Sequence, residues 1–286
     1  MRVERIDTTD PAWIDDERLA DYRVVRDPEL VRRNARFLAE GRLVVRTLLR
    51  DSPLSASSLL LEEAALTWLV EQLGEDSSPD VSAYVVPSGA MKSLSGFRFH
   101  QGCLAVGERP APQGVEELLA GCPTPPRLLV GLDAVSNPDN VGAIFRTAAA
   151  FGADGIVLSP ECASPLYRKA IRTSMGAALR LPFVHGEAWH ESLEALRRRG
   201  FTLLALTPAA PSRTLEETAT DLRPGDKRAL LMGAEGPGLG PVSLQLSEGH
   251  VCIPMDARVD SLNVAAAAAV ALYRLRPQGT QELPSR

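Results

Sequence analysis

The sequence predicts an α/β protein with a parallel sheet in its second part, preceded by a smaller α/β unit. Three observations carry this prediction. From Arg127 onward, short fully apolar runs alternate with helical patterns, the rhythm of buried strands covered on both faces by helices. A Pro-rich stretch, Arg109–Gln113 and Cys122–Pro126 around a short helical segment, separates that rhythm from what precedes it. At 286 residues, 45% of them hydrophobic, the chain is long enough and apolar enough for two cores.

The elements follow in order. Residues 1–29 are polar and mixed in charge, and read as a loosely packed arm. Leu30–Arg50 has helical spacing with a break near Gly41. Leu59–Leu61 is a short apolar run, and Glu62–Leu73 is helical. Glu75–Pro79 reads as a turn, with strands at Val81–Val86 and Cys103–Val106. After the linker, Leu128–Leu132 is a fully apolar strand, Val141–Phe151 a helix and Gly155–Leu158 a strand. Pro165–Ser174 reads as helical. Leu181–Val184, Thr202–Leu206, Ala229–Met232 and Val251–Ile253 are further buried runs, with helices at Ala188–Arg199 and Val264–Leu275. Gln278–Arg286 reads as a frayed tail. The expected domains are therefore 1–108 (with 1–29 as the arm), a linker over 109–126, and 127–286.

Composition excludes several classes. No run approaches the length of a transmembrane helix, and Met1–Asp16 lacks the apolar core of a secretory signal, so no membrane partner is expected. The four cysteines and four histidines are scattered without metal-ligand spacing, which fits a reduced, cytoplasmic compartment and no metal site. The net charge of −5 is unevenly spread. Eight arginines lie between Arg23 and Arg50 against Asp27, Glu29 and Glu40, and Pro165–Arg180 carries Arg168, Lys169, Arg172 and Arg180 with no acid. Each patch reads equally as a solvated helix face or as a contact for a polyanion.

Three polar stretches sit just after predicted strands, where open parallel sheets bind ligands. They are Asn137–Thr147, containing Asn140 and Arg146; Met232–Leu239, containing Gly233 and Glu235; and Ile253-Pro254-Met255 followed by Ser261-Leu262-Asn263. Each residue has a plainer alternative. Asn140 and Asn263 suit helix N-caps, Arg146 suits a buried ion pair, and the glycines suit turns. The glycine stretch lacks the Lys-Ser/Thr of a phosphate loop and does not follow the first strand as a dinucleotide fingerprint would.

Taken together, N-x5-R, G-A-E-G-x-G and I-P-M-x6-L-N in this order resemble the three motifs of the SpoU/TrmH family of RNA ribose methyltransferases, in the SPOUT superfamily. The resemblance covers about Leu128 to Leu275. More loosely, Phe37–Gly41, Val81–Pro87 and Gln101–Val106 resemble that family's ribosomal-protein-like RNA-binding domain. The resemblance implies a C-terminal SPOUT domain with a parallel sheet and a deep trefoil knot, preceded by a small α/β RNA-binding domain. It implies S-adenosyl-L-methionine as cofactor, held by backbone groups of Gly233, Ile253 and Leu262 with Met255 beside them. It implies a homodimer with the active site near its interface. The Ala-rich helix Val264–Tyr273 suits such an interface, and equally a monomer core.

The implied reaction is methylation of a ribose 2′-hydroxyl on structured RNA, with large-subunit ribosomal RNA first and transfer RNA second. A non-catalytic RNA-binding protein on the same fold is the alternative from another class. The implied catalytic cluster is Asn140, Arg146, Glu235, Ser261 and Asn263. A guanidinium with a pKa above about 12 is a poor proton acceptor, so Arg146 is expected to grip phosphate and to stabilise charge growing on the 2′-oxygen. Glu235 is expected to orient Arg146, and Ser261 and Asn263 to position the ribose or the cofactor loop. Arg32, Arg33, Arg36, Arg42 and Arg46 are candidate phosphate contacts, and Phe97 and Phe99 read as core residues or as base-stacking platforms.

Overall fold

The computed structural model describes residues 1–23, 30–31, 35–74, 80–95, 102–122, 124–209, 211–223, 225–256, 258–259 and 261–277. The expectations for Glu75–Pro79, Arg32, Arg33, Phe97, Phe99 and the tail from Gln278 lie outside these residues. The chain forms two compact units. The first is Met1–Ala111 together with Pro165–Arg180, and the second is Pro112–Ser164 together with Leu181–Arg286.

The first unit is built on a mixed five-stranded sheet. Its strands are β1 (Arg2–Arg5), β2 (Arg36–Glu40), β3 (Ala56–Glu62), β4 (Ser82–Val86) and β5 (Cys103–Glu108), in the order β1-β4-β3-β5-β2. β5 pairs antiparallel with both β2 and β3, and β4 pairs parallel with β1 and β3. Helices Arg42–Arg50 and Glu63–Leu73 each follow a strand directly. Leu38, Leu60, Leu104 and Val106 alternate into one buried face, as the two-residue period of a strand requires. The sheet closes tightly around Phe37: a Cβ on Gly107 would meet its ring at 2.2 Å.

Two expectations fail here. Residues 1–29 are not a loose arm over their described part. β1 extends the sheet edge, and two 3₁₀ turns, Pro11–Asp15 and Glu17–Tyr22, carry Leu19 and Tyr22 into the core. The Tyr22 hydroxyl shares a 2.7 Å hydrogen bond with Ser58 Oγ, which explains how a phenol can be fully buried. The helical spacing expected over Leu30–Arg50 is also broken further back than Gly41. Arg36–Glu40 is strand β2, because its pairing with β5 buries Phe37, Leu38 and Ala39 together, and the helix begins only at Arg42.

The second unit holds a seven-stranded sheet, parallel at every pairing. Its strands are β6 (Leu128–Asp133), β7 (Gly155–Leu158), β8 (Phe183–His185), β9 (Thr202–Leu206), β10 (Arg213–Thr214), β11 (Arg228–Gly233) and β12 (Gly249–Cys252). The order is β10-β12-β9-β11-β6-β7-β8. All of β6 and β7 is buried, which is why these strands read as continuous apolar runs. The short helix inside the predicted linker, Val115–Ala120, packs Val115 and Leu118 into this core. β10 and helices Leu215–Asp221 and Pro241–Leu246 went unread in the sequence, being too short to show a period. Helix Val264–Leu275 lies along helix Pro138–Ala150. Buried Arg228 donates from Nε to the Leu275 carbonyl at 2.7 Å, a cation closing that helix's C-terminal end.

Candidate functional site

β9, β11 and β12 are neighbours, and their carboxyl ends open onto a cavity of about 450 Å³. This is the edge at which open parallel sheets place ligands. The β9 end contributes Leu206, Thr207 and Pro208; the β11 end contributes Met232 to Gly236 and Gly238; Ile253 and Met255 follow β12. Ser261, Leu262 and Asn263 close the remaining side at the entry to helix Val264–Leu275.

The β11 loop is a tight fold of backbone. Gly238 N–H donates to the Ala234 carbonyl at 3.0 Å, and the two residues form an isolated antiparallel bridge. That closeness dictates Gly233: an added Cβ would meet the Gly238 carbonyl at 2.1 Å. Gly236 and Gly238 turn the loop at φ +88° and +74°, where side-chain-bearing residues are strained. The result is a tightly folded wall of backbone along the β11 side of the cavity.

Behind this wall stands Asp133, a residue that no sequence motif singles out. Its Oδ2 accepts from Gly240 N–H at 2.9 Å and from Ser243 Oγ–H at 2.6 Å, and Trp189 Nε1–H donates to Ser243 Oγ. The end of β6 thereby holds the loop that leaves β11. The available signal was an acid ending an otherwise apolar strand.

Asn263 gathers the polar cluster. Its Oδ1 accepts from the Ala265 and Ala266 amides, so it is the N-cap of helix Val264–Leu275. Its Nδ2 donates to Asn140 Oδ1 at 3.2 Å and to Glu235 Oε1 at 2.5 Å. One amide thus serves the cap with its oxygen and the cluster with its nitrogen. Asn140 is not a cap: Asn137 takes that role through the Asp139 amide, leaving Asn140 buried and turned to Asn263.

The structure therefore brings Gly233, Glu235, Ile253, Met255, Ser261, Leu262 and Asn263 to one cavity, with Asn140 bonded to its rim. Arg146 is not among them. Six residues beyond Asn140 on one helix, it points about 120° away and lies about 9 Å further along. It is exposed and makes no ion pair among the described residues. The expected Glu235–Arg146 contact is replaced by Glu235–Asn263. Of the expected phosphate contacts in the first unit, Arg36 is engaged by Asp21, and Arg46 buries its Nε without a hydrogen-bond partner.

With this geometry in view, the chain was compared with known proteins. The SpoU rRNA Methylase family matches residues 127–273, more than half of the chain. An uncharacterized tRNA/rRNA methyltransferase of Mycobacterium tuberculosis (strain H37Rv) is 38% identical over 280 residues, covering 96% of this chain and 93% of its own. Among solved structures, an AdoMet-bound rRNA methyltransferase from Sinorhizobium meliloti superposes with TM-score 0.77 at 22% identity, over 96% of this chain and 97% of that one. The SpoU methyltransferase AviRb of Streptomyces viridochromogenes, in complex with AdoMet, gives 0.74 at 24% identity, over 91% and 97%. At these identities the two structures speak to the fold, whereas the family match and the mycobacterial relative speak to descent. This chain belongs to the SpoU/TrmH family of RNA methyltransferases.

Proposed function

We propose that this chain methylates a ribose 2′-hydroxyl of large-subunit ribosomal RNA, with S-adenosyl-L-methionine as donor. The observation that carries the reading is the Asn140–Asn263–Glu235 cluster at the rim of a cavity at the carboxyl ends of β9, β11 and β12. The cavity fits the donor: its volume lies in the range of small-molecule sites, and the β11 loop that lines it is held compact by the close approach of Gly233 to the Gly238 backbone. Backbone groups of Gly233, Ile253 and Leu262 would hold it, beside Met255. When bound, its sulfonium supplies an electrophilic methyl group.

The residues of the chain supply alignment and charge. Holding reacting groups in line contributes on the order of 7–11 kcal/mol. Asn263, fixed by its cap and by Glu235, orients the ribose with Ser261. Arg146 lies off its own copy's cavity, so its assigned role, gripping the RNA phosphate and stabilising charge growing on the 2′-oxygen, is played at the second copy's site in a homodimer. Exposed Val270 and Tyr273 on helix Val264–Leu275, with Phe151 edge-on to Tyr273 at 5.7 Å, form an apolar face for a second copy in a homodimer. The trefoil knot belongs to the same reading. Its support is the return of helix Val264–Leu275 to helix Pro138–Ala150, with the loops after β11 and β12 meeting at the cavity.

Residues 1–108 are assigned to RNA binding and 127–286 to catalysis, in the cytoplasm. Among the described residues no helix is long and apolar enough to cross a membrane. The test is transfer of labelled methyl groups from S-adenosylmethionine to total bacterial RNA, followed by size fractionation. Label in large-subunit ribosomal RNA is expected. Label confined to the transfer RNA fraction would move the substrate, and no label in any RNA would remove the activity.

A further inference from the structure

Pro165–Arg180 is the segment whose place the sequence rhythm conceals. It lies between β7 and β8 of the second unit, yet it packs as part of the first. Its helix Arg168–Thr173 buries Ala170 and Ile171 and lies against β2. A turn follows, pinned by Ser174, whose Oγ donates to the Ile171 carbonyl at 2.8 Å and accepts from the Ala178 amide at 3.2 Å. Gly176 sits at φ +81° directly on Thr47, where a Cβ would lie 3.3 Å from the Thr47 methyl. Ser52 Oγ then donates to the Leu179 carbonyl. The segment is therefore seated on helix Arg42–Arg50 and the turn after it.

That seating merges two basic stretches. Helix Arg42–Arg50 carries Arg42, Arg46 and Arg50, the segment carries Arg168, Lys169, Arg172 and Arg180, and neither contains an acid. Asp51 directly follows the helix, and Glu40, two residues before it, is buried on β2. On a chain of net charge −5, the three exposed arginines Arg50, Arg172 and Arg180 are thereby brought onto one surface. Arg50 falls one turn beyond Thr47 on the side where Gly176 sits, Arg180 adjoins Leu179 at Ser52, and Arg172 lies one turn before the seated Gly176. Arg50, Arg172 and Arg180 are all exposed and make no ion pair among the described residues.

Two apolar side chains stand out at the same place. Leu43, one turn before Thr47, and Met175, next to Gly176, are each 45% exposed. Met175 adopts φ +52°, a conformation that costs a residue with a side chain energy and that here holds the thioether outward.

We infer that Pro165–Arg180 and helix Arg42–Arg50 together form an RNA-binding surface, in which Arg50, Arg172 and Arg180 contact phosphates and Met175 and Leu43 contact an unstacked base. The inference rests on the RNA reading above and adds to it a segment drawn from the catalytic half of the sequence. RNA suits the surface better than an acidic protein does. The three exposed cations are all arginine, whose planar fork matches phosphate and stacks on bases, and exposed apolar side chains beside them suit splayed bases.

The experiment uses the full chain with Arg50→Gln, Arg172→Gln and Arg180→Gln combined, and Met175→Gly separately. Purified protein-free large-subunit ribosomal RNA is the probe, titrated from low to high salt, with S-adenosylmethionine titrated in parallel. The triple variant is expected to bind RNA at least tenfold more weakly, with the salt slope shallower by roughly one unit for each arginine–phosphate pair removed. Met175→Gly relieves the strained turn, so weaker RNA binding at a melting temperature no lower than wild type would belong to the missing thioether side chain. Unchanged cofactor affinity is expected throughout. Unchanged RNA affinity and slope in the triple variant would overturn the inference, as would polyglutamate competing as well as RNA. A wild-type protein that binds RNA through this surface but methylates none would sink the catalytic reading and leave the surface standing.

Discussion

Asn263 Nδ2 donates to Asn140 Oδ1 at 3.2 Å across 123 positions of sequence. The contact joins the N-terminal turns of helices Pro138–Ala150 and Val264–Leu275, and Phe151 meets Tyr273 at their far ends. The two helices therefore run side by side in the same direction, with the polar cluster at one end and an aromatic pair at the other. All three motifs meet through one amide, two of them because the helix that carries each begins at the cavity.

Substitutions at Asn263 separate its two roles. Asn263→Ala removes both the cap and the bridge, so it should lower stability by about 1 kcal/mol and abolish methyl transfer. Asn263→Asp keeps a capping oxygen but sets a carboxylate against Glu235. It should melt close to wild type and still be inactive. Thermal melts paired with single-turnover methylation check this, and an active Asn263→Asp protein would remove the bridge from the mechanism.

Gly233→Ala should distort the β11 loop that lines the cofactor site. The new methyl would meet backbone, which cannot swing aside, and overpacking of this kind costs about 1–3 kcal/mol. Gly236→Ala meets nothing within 4 Å and suffers only its φ of +88°. Calorimetry with S-adenosylmethionine should show binding abolished in the first variant and kept in the second. Equal affinities would place the donor elsewhere.

Arg146→Ala should spare folding and cofactor affinity, because the side chain is exposed and away from the cavity. Losing an electrostatic group that acts on the reacting oxygen typically costs about a hundred- to a thousand-fold in rate. Lysine keeps the charge without the planar fork and should rescue poorly. A single-turnover rate near wild type for the alanine variant would show that Arg146 takes no part.

The sequence announced some of this and hid the rest for identifiable reasons. β6 and β7 are buried over every residue, so their apolar runs could be read directly. The three loops were visible because each follows such a run. Arg36–Glu40 was obscured because Leu30, Val31, Leu38, Val45 and Leu48 also fit a helical spacing, and only pairing with β5 decides the strand. The resemblance pairs Glu235 with Arg146, and no local pattern in the sequence points instead to Asn263. Asn263 proved closer, since its cap geometry aims Nδ2 at the carboxylate. The allegiance of Pro165–Arg180 depends on distant contacts with Thr47 and Ser52, which no local pattern encodes.

That allegiance alters what truncation should do. Deleting residues 1–108 leaves Leu166, Ile171 and Leu179, now buried, without the sheet and helix that cover them. The fragment should bind hydrophobic dye and aggregate. Ile171→Gln with Leu179→Gln should restore solubility and cofactor binding, but not RNA methylation. A fragment that is soluble and free of dye binding without these changes would contradict the assignment of the segment to the first unit.

The cysteines offer a check on both cores. Burial pushes the Cys103 thiol up to about 12 and raises that of Cys162. A thiol kept neutral by folding stabilises the native state below its unfolded pKa, near 9, and that contribution fades as pH rises from about 9 through about 12. At pH 8 an alkylating reagent should therefore label Cys252 and Cys122, which are partly exposed, and reach Cys103 and Cys162 only on unfolding. Rapid native labelling of Cys103 would contradict the packing of the first unit.

The central claim is the identity of the methylated atom, and alkaline hydrolysis of the labelled RNA tests it most directly. Base-catalysed cleavage needs a free 2′-hydroxyl, so a methyl group on that oxygen protects the adjoining phosphodiester. After transfer from labelled S-adenosylmethionine and complete alkaline digestion, the label should emerge in alkali-stable dinucleotides. Label emerging in mononucleotides would place the methyl group on a base, and the 2′-hydroxyl reading of the Asn140–Asn263–Glu235 cluster would be wrong.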